Sequence, residues 1–175
     1  HLSLRRQRQM CIRDRSDGNV KKINSYITKK VADKLTELYK DDRKSYEEKW
    51  KDINLFVKYG MISEEKFYEK VEKIALLQSL DNKMRTFEEY KKFVSKTQKD
   101  KDKNTVILYS NDAEKQDSYI EDAKKRNYDV VLFDNVIDSH YINHIEQKLD
   151  KVLIKRVDAD ICLLYTSPSP RDLST

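Results

Sequence analysis

Between residues 16 and 160 the chain has no cysteine and no proline, and its full 175 residues hold only two glycines, Gly18 and Gly60. Without thiols this stretch carries no disulfide framework and no thiolate chemistry, which fits a reducing compartment and a cytoplasmic location. So little glycine and proline disfavours a turn-rich β architecture and favours long helices. No run approaches the ~18–20 apolar residues that span a bilayer, and no charged-then-apolar secretory leader is visible, so no membrane partner is expected. No glycine-rich loop offers a backbone cradle for phosphates; SNDAEK, after the first buried run, has no glycine at all.

An excess of one charge is also missing once the two ends are set aside. The formal net charge is +5, which alone would hint at an anionic partner such as nucleic acid. Residues 1–15, however, hold five arginines and no lysine, and residues 16–160 balance 30 basic against 29 acidic residues. Those 30 comprise 26 lysines and only four arginines, and both cysteines and both prolines lie in the ends. The strings MCIRDR and LLYTSPSPRD resemble translated sequencing-adapter sequence. Residues 1–15 and 161–175 are therefore set apart as artefact-like tails. The arginine-rich start then argues for no nucleic acid, and none is expected.

What remains is one domain's length, or two small ones. Val20, Ile23, Ile27, Val31, Leu35 and Leu38 recur at steps of three or four and predict a first helix with one inward stripe, capped at Asp17 or Asn19. Ser45 and Glu48 predict a capping box for a second helix carrying Tyr46, Trp50, Ile53 and Val57, with Gly60 ending it left-handed. Ser63 with Glu64 and Glu65 predicts the start of a third, with Phe67, Val71, Ile74 and Leu77 inward. Residues 16–82 are thus expected as a helical segment.

After residue 80 the period changes. Thr86 and Glu89 predict another capping box. TVILYS, DVVLFD and KVLIKRV read as buried strands. Between them lie a helix capped at Ser110 or Asn111, burying Ala113, Tyr119, Ile120 and Ala123, and one burying Ile137, Tyr141, Ile142, Ile145 and Leu149. Strand–helix–strand–helix–strand implies right-handed crossovers and a short, largely parallel sheet. The fold class expected is α/β: a helical segment followed by a small three-layer α-β-α unit over residues 83–160.

Chemistry-bearing residues are sparse. Asp112 and Asp134 fall just past two neighbouring strands, where parallel sheets gather ligands, and two carboxylates there suit Mg²⁺ or a nucleotide. Caps and turns favour Asp at such positions for backbone reasons alone, and that reading outweighs the first. His140 and His144 share a helical face at metal-ligand spacing, but no third ligand supports them and they read as partly exposed histidines. Trp50 reads as core. No nucleophile–base–orienter set is visible, so no catalytic, cofactor-binding or metal-binding residue is assigned.

The stretches VKKINSYITKKVADKL, YEEKWKDINLFVKYGM, EEKFYEKVEKIALLQS, TFEEYKKFVSK, NTVILYSND and YDVVLFDNVID resemble the middle domain of the HtpG family, the bacterial 90-kDa heat-shock chaperones. The resemblance covers 16–160 and implies an ATP-driven, homodimeric chaperone that binds unfolded or partly folded clients. It places the ATP and Mg²⁺ pocket in an N-terminal domain and the dimer contact in a C-terminal one, both outside this sequence. The family's middle domain also presents an Arg, followed by a Gln, to the γ-phosphate just before SDGNV. By register Cys11 stands at the Arg position and Arg15 at the Gln position, so neither Arg13 nor Arg15 is taken as catalytic. The resemblance further implies a surface for the 70-kDa chaperone, DnaK. Lys29, Lys30 and Lys34 are the candidates, with a merely solvated lysine face as the alternative.

Overall fold

The computed structural model describes the backbone of residues 2–100 and 102–159, and the side chains of residues 20, 22–100 and 102–159. Three helices come first: α1 (Leu2–Asp41), α2 (Arg43–Ser63) and α3 (Glu65–Val71). α1 runs through Asp17 and Asn19 without a start there, so neither residue caps it. The turn into α2 is held by Asp42, whose carboxylate accepts the Ser45 backbone N–H at 3.1 Å. The expected Ser45–Glu48 box is thus displaced by a stronger acceptor three residues earlier. Tyr46, Trp50 and Val57 are buried as expected, and the Tyr46 hydroxyl donates to the Ile74 carbonyl at 3.0 Å. Trp50 is core, on a helix stripe that continues to Met61.

Gly60 does not end α2. It sits inside the helix, and α2 continues to Ser63, which leaves Ser63 no capping role for α3. A Cβ at residue 60 would lie 2.8 Å from the Phe67 ring, so the glycine serves the close approach of α3 rather than a left-handed turn. Phe67, Val71, Ile74 and Leu77 all point inward.

The helical period stops at Val71, and an unexpected antiparallel hairpin follows. β1 (Leu76–Gln78) pairs β2 (Met84–Thr86), and the turn carries Asn82 at φ 62°. β2 runs directly into α4 (Phe87–Val94) through the predicted capping box. Thr86 Oγ1 accepts the Glu89 N–H at 3.3 Å, and the Glu89 carboxylate accepts the Thr86 N–H at 2.8 Å.

The remaining elements are β3 (Thr105–Ser110), α5 (Asp117–Lys125), β4 (Val130–Leu132), α6 (Asp138–Lys148) and β5 (Val152–Arg156). β3 lies in the middle of a three-stranded parallel sheet, ordered β4-β3-β5, with Leu108 opposite Val130 and Ile107 opposite Ile154. The two crossovers run in opposite directions and lay α5 and α6 on opposite faces, as two crossovers of one hand must. Val106, Leu108 and Val130 pack on Ile120 and Ala123 of α5. Ile107, Val131, Val152 and Ile154 face Tyr141, Ile142 and Ile145 of α6 and, through them, the helical segment. Strands buried on both faces explain the near-continuous apolar runs.

Both sheet edges are occupied. The β1–β2 hairpin bridges to β4 at Ser79–Val131, and the Glu146 carboxylate accepts the Ile154 N–H on the outer side of β5 at 2.7 Å. Gln98, fully buried, ties the loop after α4 to the sheet. Its amide donates to the carbonyls of Val106 and Asp129, and its oxygen accepts the Asp129 N–H at 2.7 Å. α5 begins later than expected: Ser110 ends β3 and donates to Gln116 at 2.8 Å instead of capping the helix. Tyr119 on α5 is 46% exposed rather than core.

Candidate interaction surface

Among the described residues, helix α1 is fixed to the body through those from Ala32 onward. Ala32 is fully buried, Leu35, Leu38 and Tyr39 pack against the core, and Asp33 pairs with Lys70 of α3 at 2.5 Å. That bond to Lys70 holds the Asp33 carboxyl below its ordinary value against the opposing effect of burial, with lesser help from Lys29 and Lys30.

N-terminal to Ala32 the apolar stripe continues without cover. Val20, Ile23, Ile27 and Val31 are 46–57% exposed, and Tyr26 is 63% exposed. This overturns the expectation that Ile23, Ile27 and Val31 are buried. α2 and α3 pack closely on α1 from Ala32 onward, but at Ile27 and Val31 they stand alongside without covering the side chains. A groove of about 300 Å³ opens beside them, lined among others by Ile27, Val31, Tyr59, Gly60, Glu64 and Phe67. Exposed apolar side chains lining a groove mark a contact surface more often than a solvated face.

Lys29, Lys30 and Lys34 stand on the same helix and are all exposed. Lys34 bonds Glu37 one turn on at 3.0 Å, and the Lys30 ammonium lies 5.6 Å from the Tyr26 ring centre. The structure therefore sets basic groups beside an uncovered apolar stripe.

The other candidates do not assemble. Asp112 closes its own turn, accepting the Lys115 N–H at 3.2 Å and pairing with the Lys115 ammonium at 2.7 Å, which holds its carboxyl below the ordinary value. Asp134 is exposed. His140 is exposed too, while His144 turns inward and packs edge-on against Tyr68 at 5.3 Å. Among the described residues no group of three or more His, Cys, Asp or Glu could hold a metal ion. The enzyme alternative built on Asp112 and Asp134 is set aside: the first is consumed by its turn, and the second has no ligand partner. Cys11, Arg13 and Arg15 lie outside the residues whose side chains are described.

Sequence reasoning missed one charged pair. Lys58 on α2 and Asp138 at the start of α6 are both buried and meet at 2.5 Å. The signal was available, since Lys58 falls eight residues after Trp50, on the helix's inward stripe.

The family model described as Hsp90 protein matches residues 12–165. The chain belongs to the Hsp90 family. It is 49% identical over 146 residues to the chaperone protein HtpG of Bacteroides thetaiotaomicron, covering 83% of this chain and 21% of that protein. It is 48% identical over 145 residues to HtpG of Porphyromonas gingivalis, with the same coverage of each. The chain thus spans about a fifth of the length of the curated Hsp90 relatives it matches. Its structure resembles the middle domain of a Plasmodium falciparum putative heat shock protein, with a TM-score of 0.57 and 16% identity, covering 78% of this chain and 57% of that one. The α/β fold is that of an Hsp90 middle domain, and the chain is a piece of an HtpG-like chaperone. No described helix is long and apolar enough to cross a membrane.

Proposed function

We propose that this chain contributes client and partner binding to an ATP-driven chaperone and couples those contacts to an ATPase domain elsewhere in the longer protein. The observation that carries the reading is the uncovered stripe of Ile23, Ile27 and Val31 beside Lys29, Lys30 and Lys34. It is a surface suited to contact, on a helix whose later residues, from Ala32, are packed on the core. ATP and Mg²⁺ belong to the parent's N-terminal domain on this reading. The described residues supply neither a glycine-rich phosphate loop nor a metal-holding group, so no step of nucleotide chemistry is assigned to them. The parent acts as a cytoplasmic homodimer, joined through its C-terminal domain. On this reading residues 1–15 and 161–175 are tails foreign to it, although the family match takes in 12–15 and 161–165, and the middle-domain piece divides into 16–82 and 83–160.

The lysines are the DnaK-facing part of this surface. Reversing Lys29, Lys30 and Lys34 to Glu in the restored full-length protein should weaken association with the 70-kDa chaperone, most at low salt. Charges at a contact rim act mainly on encounter and orientation, and salt screens them. A titration at two ionic strengths, beside a circular-dichroism melt, reads this out. Unchanged binding at low salt would return the lysines to solvent. The isolated chain should hydrolyse no ATP; a saturable Mg²⁺-dependent ATPase abolished by Asp134→Asn would overturn the chaperone reading itself.

A further inference from the structure

Among the described residues six exposed lysines are paired locally. Lys34 meets Glu37, Lys70 meets Asp33, Lys83 meets Asp81, Lys115 meets Asp112, Lys125 meets Asp122 and Lys148 meets Glu65. Of the lysines without an ion pair, five gather around one cleft. A cleft of about 600 Å³ lies between the end of α4 and the edge of the sheet where β3 and β5 begin. Lys91, Lys92, Lys99, Lys103 and Lys151 line it, with Asp150 the only carboxylate on its wall among the described residues. Among the described residues none of these five lysines forms an ion pair. The Lys91 ammonium reaches Asp150 only at its backbone carbonyl, at 3.3 Å. Asp100, in the same turn as Lys103, is occupied: its carboxylate accepts the N–H groups of Asp102 and Asn104 and the Asn104 amide.

The backbone adds a second, independent observation. Among the described residues four other than glycine have positive φ: Asn82, Lys103, Asn127 and Lys151. Asparagine tolerates the left-handed region, because its short polar side chain bonds locally; lysine has no such help. Two of the four turns therefore use the residue the backbone favours. The two that do not both carry lysine, and both lysines line this one cleft. Local backbone strain kept where a better residue is available points to a role for the side chain.

The frame that carries these lysines is rigid. The Thr105 N–H donates to the Lys151 carbonyl at 2.8 Å, and Lys99 bridges Thr105 antiparallel. The ammonium groups therefore project from fixed backbone positions around an open floor.

The wall also indicates the ligand. It holds no aromatic side chain on which a base could stack, and no arginine fork for bidentate phosphate contact. Separate lysine point charges over an open cleft match carboxylates spaced along an extended backbone. We propose that this cleft binds an acidic peptide segment, a run of Asp and Glu in a partner protein. The site shares no residue with the α1 surface and does not depend on the chaperone reading.

The test uses the 175-residue chain and a labelled ten-residue peptide of Glu and Asp, followed by fluorescence anisotropy at two ionic strengths. Saturable binding is expected, weakening severalfold as salt rises. The double variant Lys103→Asn, Lys151→Asn should bind about tenfold more weakly, since it loses two of the five cations. Its melting temperature should hold or rise by about 1–3 °C, because Asn relieves both left-handed turns. A variant with equal charge loss elsewhere, Lys66→Gln with Lys124→Gln, should bind within about twofold of the parent, as loss of remote exposed charge has little effect. No saturable binding at low salt overturns the proposal, as does an equal loss in the two double variants. Tighter binding of inorganic polyphosphate or single-stranded RNA than of the peptide overturns the assigned ligand class.

Discussion

Lys58 and Asp138 join the helical segment to the α/β unit inside the core, where a charge has no water to fall back on. Their side chains meet at 2.5 Å, with relative exposures of 4% and 2%. The Lys58 ammonium also lies 5.0 Å from the Phe133 ring centre and 5.6 Å from that of Tyr141. The second Asp138 oxygen accepts the Asn135 N–H at 3.0 Å. Burial pushes the Lys58 ammonium below its ordinary value, and the Asp138 carboxylate works against that shift. Lys58→Met keeps the apolar stem but leaves Asp138 buried with a single N–H partner. Breaking a buried pair in this way costs about 3–5 kcal/mol. For a chain of this size that is a fall in melting temperature of roughly 6–20 °C. Lys58→Met combined with Asp138→Asn removes both charges and keeps an acceptor for Asn135, so it should recover all but about 1–2 kcal/mol.

Urea unfolding followed by circular dichroism and by the fluorescence of Trp50, the only tryptophan and a buried one, reads both variants. The midpoint should move while the slope holds. The variant Asp138→Asn alone strands the ammonium and deepens the depression of its folded-state value. The unfolded chain then binds that proton more tightly than the folded one, so stability should rise with pH from the folded-state value up toward about 10.4. A loss below about 1 kcal/mol for Lys58→Met, or no recovery in the double variant, would refute the account of the pair as a buried charge held by its partner.

Gly60→Ala should destabilise by about 1–3 kcal/mol, although alanine is the better helix former, because its Cβ would meet the Phe67 ring at 2.8 Å; adding Phe67→Leu should recover most of the loss in the same melts. Thr86→Ala should cost about 1 kcal/mol by opening the capping box. Burial raises the Glu89 carboxyl, but the Thr86 and Arg43 bonds outweigh it and leave the value below its ordinary 4.5; this stabilisation is complete above pH 4.5 and is lost as pH falls through the lowered folded-state value, which an acid titration of stability checks. Deleting 1–15 and 161–175 together should leave the melting temperature within about 2 °C, and a large loss would make them integral to the fold.

The α/β unit was legible because its signals are local and redundant. TVILYS and DVVLFD contain strands buried on both faces, and such strands are apolar almost throughout, while the edge strand in KVLIKRV alternates buried Val152 and Ile154 with half-buried Leu153 and Lys155. Thr86 and Glu89 fix a helix start with two reciprocal bonds between residues three apart. The β1–β2 hairpin had no comparable signal. Its strands are three residues each, too short to show a period, and β4 supplies part of what holds them. Caps were misplaced wherever several candidates competed, as at Asp42 against Ser45, because the geometry of the incoming chain decides among them.

The candidate surface was misread for a different physical reason. The spacing of Val20, Ile23, Ile27 and Val31 states that one face of α1 is apolar; it does not state what lies in front of that face. In this structure α2 and α3 close over Ala32, Leu35 and Leu38 but only flank Ile27 and Val31 across an open groove. Had Val20 to Val31 belonged to a helix with no further contact to make, selection for solubility would favour polar residues at those four positions, since each exposed aliphatic side chain raises the cost of staying unassociated. Keeping them apolar while filling the adjacent positions with Lys29, Lys30 and Lys34 is the pattern of a contact that forms and is bounded. On the proposed function the stripe would supply the area buried, and the lysines at its side would limit which neighbour can approach and in what orientation. The same residues that a periodicity argument assigns to the core are therefore the ones that carry the functional reading.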